Sequence, residues 1–105
     1  MPRFVKVAAA QMGPNNEGTS REEIVERMLA LMEQAVREDV ELIAYPEMAL
    51  TTYFPKRVRD DYDQFFETEV PPKALLPLLE RAKAARMACH VGFSEKAEGR
   101  YCNTA

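Results

Sequence analysis

Two short apolar runs on either side of one amphipathic repeat constrain this sequence more than any other feature. "FVKVAAAQ" (Phe4–Gln11) is short and apolar and is closed by "MGPNNEG", a cluster of turn formers. That pattern reads as a buried strand followed by a loop. In "TSREEIVERMLALMEQAVRED", Ile24, Met28, Leu31, Met32 and Ala35 recur at helical spacing, and Val25, Leu29 and Val36 widen the stripe. Glu22, Glu26, Arg27, Glu33, Gln34 and Arg37 take the opposite side. Ser20 with Glu23 fits a capping box, and Thr19 with Glu22 offers the same box one step earlier. Val40–Tyr45 is a second apolar run, nearly continuous, as in strands covered on both faces. Strand, helix and strand form a βαβ unit, with a right-handed crossover if the strands share a sheet.

Thr51–Val70 is irregular and rich in aromatics and acids, with room for a short helix in "RDDYDQFFETE". Pro71–Pro72 introduces a helix over about Lys73–Met87, with Leu75, Leu76, Leu78, Leu79, Ala82 and Ala85 on its apolar side. Pro77 lies near its first turn and can delay its start. "ACHVGFSE" reads as a third strand, "KAEG" as a turn and "RYCNTA" as a fourth strand, the last two strands forming an antiparallel hairpin. No glycine follows either helix; Asp39 and Met87 or Ala88 stand where a C-cap glycine would be convenient. The element order is β-α-β-α-β-β, an α/β chain of one domain at most.

Composition excludes several functions. The net charge is −3, with no basic surplus for nucleic acid. No stretch approaches the ~18 consecutive apolar residues of a membrane span, and the start does not read as a signal peptide. Cys89 and Cys102 are expected as reduced thiols, although one disulfide across the hairpin is conceivable. The expected location is the cytoplasm.

Glu47 is the leading chemical candidate. It follows Pro46 just past an apolar strand, and in open α/β sheets ligand sites form outside the carboxyl ends of strands. A carboxylate beside an apolar strand end suits a general base; the plain alternative is a solvated loop glutamate. Thr51 and Thr52 could bind substrate, though such pairs more often cap or end elements. Tyr53 and Phe54 could wall a pocket or simply pack the loop. Cys89 and Cys102 lie in strands, where a thiol packs as a small hydrophobe, without the helix N-terminus or positive cluster that activates one. His90 beside Cys89 lacks the ligand spacing of a zinc site. "DDYD" (Asp60–Asp63) lacks the glycine and later bidentate Glu of a calcium loop. No metal site is expected.

"VKVAAAQMGP", "LIAYPEMALTTYFP", "VGFSE" and "YCNTA" together resemble the N-terminal part of the nitrilase superfamily of carbon–nitrogen hydrolases. "PEMALTTYFP" followed by "FFETEVP" is similar to its N-carbamoyl-D-amino acid amidohydrolase branch. The resemblance implies an αββα sandwich, a Glu–Lys–Cys mechanism without metal or organic cofactor, a small N-carbamoyl amino acid or amide substrate, and homo-oligomers for the full-length chain. It places Glu47 as the base that activates the thiol, with Tyr53 and Phe54 beside the pocket.

The family's lysine and cysteine motifs lie downstream of a hairpin like the one ending at Ala105. Lys73, Lys83, Lys96, Cys89 and Cys102 do not match them. Residues 1–105 are thus expected to be a partial domain, inactive alone, with sheet faces and edges uncovered. Two alternatives stay open: another amidase or ureidopropionase branch, and a non-catalytic αβ binding or assembly module.

Overall fold

The computed structural model describes residues 2–105. The first helix, α1 (Arg21–Arg37), starts where the capping pattern puts it: the Ser20 hydroxyl accepts the Glu23 N–H. Ser20, not Thr19, is the cap. Ile24, Met28 and Met32 are at most 1% exposed. Burying each such side chain contributes about 1.5–3 kcal/mol, so this stripe anchors the core.

Strands β1 (Val7–Ala9), β2 (Leu42–Ala44) and β3 (Ala88–His90) form a parallel sheet in the order β1-β2-β3. The βαβ unit is therefore present, with strands shorter than their apolar runs. Register aligns Ala8, Ile43 and Cys89 in one row. Ile43 is buried in the cluster that holds both helices, and Ala8 and Cys89 pack against it. The flanking rows differ: Val7, Ala9, Ala88 and His90 are exposed. Strand β1 is thus not the buried strand expected, and β2 is not covered on both faces. Both long helices share one core cluster with Ile43, so the opposite face of the sheet stays open.

After Pro72 a 3-10 turn (Lys73–Leu75) leads into α2 (Leu76–Ala85). Pro77 falls in the first turn of α2, where its missing N–H costs nothing. Leu75, Leu78 and Ala82 are buried, whereas Leu76, expected on the apolar side, is exposed. The acidic aromatic stretch yields only a 3-10 turn, Asp63–Phe65.

The expected third strand is in fact two. Ala88–His90 joins the parallel sheet, the chain leaves it at Val91–Gly92, and β4 (Phe93–Ala97) pairs with β5 (Arg100–Thr104) in a separate antiparallel hairpin. The order becomes β-α-β-α-β-β-β. Glu98 and Gly99, both at positive φ, close the hairpin, the conformation that two-residue turns require. Lys96 and Ala97, expected in the turn, belong to β4. Left-handed residues do end both helices, but they are Asp39 (φ 57°) and Arg86 (φ 55°), not Met87 or Ala88.

Candidate active site

Because β1, β2 and β3 run parallel, their carboxyl ends share one edge of the sheet. Glu47 leaves that edge two residues beyond Tyr45. The Tyr45 ring is buried, its hydroxyl donates to the Met28 carbonyl at 2.8 Å, and its N–H donates to the His90 carbonyl at 2.9 Å. Burial pushes the Tyr45 hydroxyl well above the ordinary phenol range, so it stays a neutral donor. Two residues past Glu47, the Ala49 N–H donates to the Gly92 carbonyl at 2.9 Å. The turn carrying Glu47 is therefore stitched at both ends to the chain leaving β3.

Further constraints lie within that turn. Pro46 fixes the backbone before Glu47, and Met48 after it takes the left-handed conformation at φ 49°. Gly92 lies against the turn closely enough that a side chain would crowd it. The side chain of Asn15 donates to the Ala49 and Thr51 carbonyls, and Arg27 in turn holds Asn15 Oδ1 and the Met12 and Pro14 carbonyls. Arg27 is therefore a clamp between α1 and this loop, not the solvated residue its helical position suggests.

Glu47 itself is exposed. One of its oxygens, Oε1, accepts a hydrogen bond from Asn103 Nδ2 at 2.5 Å, reaching across from β5. The hairpin is held against the loop after Glu47 by further contacts. The Glu67 N–H donates to the Ser94 carbonyl and the Lys96 N–H to the Glu67 carbonyl. The Tyr101 hydroxyl and Lys96 Nζ both donate to Asp63, which keeps the Asp63 carboxyl below the usual range.

Tyr53 and Phe54 part company. Phe54 is buried, stacked on Phe65 at 4.8 Å and flanked by Tyr62 and Phe66. Tyr53 is 55% exposed, and of the two it alone has a ring free to meet a ligand. Thr51 and Thr52 line a cleft of about 130 Å³ together with Asn16, Arg21 and Gln64. Cys89 and Cys102 are both free and lie in different sheets, so the two cysteines do not face each other across the hairpin. Burial pushes the Cys89 thiol up, as for a packed thiol and unlike an activated nucleophile. His90 is exposed at the end of β3. Among the described residues no group of three or more His, Cys, Asp or Glu side chains could hold a metal ion. Among them too, no helix is long and apolar enough to cross a membrane.

Sequence reasoning missed Asn103, Gly92 and the Arg27–Asn15 clamp. Gly92 had a signal: an isolated glycine in an apolar strand pattern marks a bulge or a close backbone approach. Asn103 had none, because its partner is 56 residues away.

A fixed carboxylate at the carboxyl edge of a parallel sheet can take and return a proton. The family model for carbon–nitrogen hydrolases matches residues 6–105. The chain belongs to this family, the nitrilase superfamily, whose members act on carbon–nitrogen bonds of small molecules.

Proposed function

We propose that residues 1–105 are the N-terminal part of an amidohydrolase that removes the carbamoyl group from N-carbamoyl amino acids, with D-amino acids as the preferred class. Glu47 is the general base. The observation that carries the reading is the placement of Glu47, held at the carboxyl edge of the sheet in a chain that matches the family along nearly its whole length. The preference within the family rests on "PEMALTTYFP" and "FFETEVP".

In this mechanism the Glu47 carboxylate takes the proton of a cysteine thiol supplied from outside residues 1–105. The thiolate attacks the carbamoyl carbon, and a lysine, also from outside, stabilises the oxyanion. The carbon–nitrogen bond breaks as the departing nitrogen receives the proton from Glu47. Water then releases the carbamoyl group, which ends as carbon dioxide and ammonia. Tyr53 contributes its exposed ring to the substrate pocket, and Phe54 anchors Tyr53 from the aromatic cluster behind it. No metal or organic cofactor takes part. The full-length protein works in the cytoplasm as a homo-oligomer.

The test is to read the coding frame past the codon for Ala105 and express what it encodes. Ammonia release from N-carbamoyl-D-amino acids, abolished by Glu47→Gln, supports the proposal. A product that leaves every N-carbamoyl amino acid intact overturns it.

A further inference from the structure

We infer that Asn103 is a positioning residue for the reaction, holding the Glu47 carboxylate in the orientation its work as a base requires. A carboxylate has only acceptors, so the Asn103 amide must meet it through its NH₂ group. The bond occupies Oε1. It leaves Oε2 without this partner and turned by the same contact, so one oxygen is held while the other can receive a proton. Without Asn103 an exposed glutamate side chain would sample several staggered rotamers, and only a fraction would point usefully.

The fold makes the contact deliberate. Asn103 is near the end of β5, in register with Ser94 of β4. Ser94 is two residues from Gly92, whose carbonyl holds the Ala49 N–H. The hairpin and the Glu47 turn thus spring from one junction, with the amide and the carboxylate on its two arms. Lys96 and Tyr101 also fasten the hairpin to Asp63, in the loop after Glu47.

The catalytic meaning of this contact rests on Glu47 being the base, so the test has two independent readouts. The first is nuclear magnetic resonance of the labelled product of the longer coding frame. The Asn103 side-chain N–H facing Glu47 should exchange with solvent about five-fold more slowly than in Glu47→Ala. Glu47 should hold one rotamer in the natural chain and several in Asn103→Leu. The exchanged pair Glu47→Gln with Asn103→Asp, which reverses donor and acceptor, should restore a single rotamer. Equal exchange in the parent protein and Glu47→Ala overturns the inference.

The second readout is kinetic, on the product of the longer coding frame. Asn103→Leu should lower kcat about ten-fold with KM unchanged. If Glu47→Gln abolishes hydrolysis while Asn103→Leu leaves kcat intact, the positioning role falls and the base stands. If hydrolysis survives Glu47→Gln, the base reading falls, and the catalytic role of Asn103 falls with it.

Discussion

A Cβ atom on Gly92 would lie 3.3 Å from the α-carbon of Glu47, with the Met48 nitrogen and the Pro46 carbonyl oxygen each at 3.5 Å. The two backbones touch where the chain leaving β2 passes the chain leaving β3. All three neighbours of the missing Cβ are main chain, so none can swing aside as a side-chain tip would. Gly92→Ala should cost about 1–3 kcal/mol, the usual range for overpacking. It should also displace the Glu47 turn, read as loss of slow exchange at the Ala49 N–H, which donates to Gly92. Unchanged stability and exchange would show that the contact is slack.

Tyr45 joins the same turn to α1. Its buried hydroxyl bonds the Met28 carbonyl across the core. Tyr45→Phe removes that bond but keeps the ring, and should lower stability by about 0.5–1.5 kcal/mol. Chemical denaturation checks this. Met28→Ala, which empties a fully buried site, should cost more, about 2–5 kcal/mol.

Arg86 ends α2 in the left-handed conformation and is exposed. A non-glycine residue is disfavoured there by roughly 1–2 kcal/mol, while glycine loses more chain entropy on folding. The first effect should win, so Arg86→Gly should raise stability by about 0.5–1 kcal/mol. A fall in the unfolding midpoint would contradict this account of the helix end.

Arg59 donates to both Glu17 and Asp61. Its hydrogen bond holds the Asp61 carboxyl down at about 2, from 3.8, and keeps Glu17 low as well. A depressed carboxyl stabilises the fold above its unfolded value and ceases to as pH falls through its folded value. The contribution of Asp61 is therefore whole above about pH 4 and fades between about pH 4 and pH 2. Thermal unfolding across this window should show a falling Tm, with a shallower slope in Arg59→Met. Both carboxylates are exposed, so the effect should be small and should shrink with added salt.

Legibility in the sequence followed the range of the forces involved. The capping of α1 by Ser20 and its buried methionine stripe are local, and the pattern from Thr19 to Asp39 contained them. Glu47 was visible because a proline and a carboxylate after an apolar run define a strand exit in a few residues. The break at Val91–Gly92 was not visible: "ACHVGFSE" has one composition, and only pairing with β2 on one side and β5 on the other divides it. The open sheet face was expected from the family resemblance, whereas the apolar runs of β1 and β2 pointed to buried strands. Apolar content in Val5 and Val7 says that a face can be covered, not that these residues cover it. Asn103 reaches Glu47 through tertiary placement alone, so no spacing rule could join them.

The central claim is that Glu47 is the proton acceptor of a carbon–nitrogen hydrolase. Its most direct test is ammonia release from an N-carbamoyl-D-amino acid by the product of the complete coding frame, with and without Glu47→Gln. The account predicts a loss of about 10²–10⁴-fold, the usual contribution of a positioned base, in a variant that unfolds at the same temperature as the parent. Undiminished hydrolysis by the variant would contradict it.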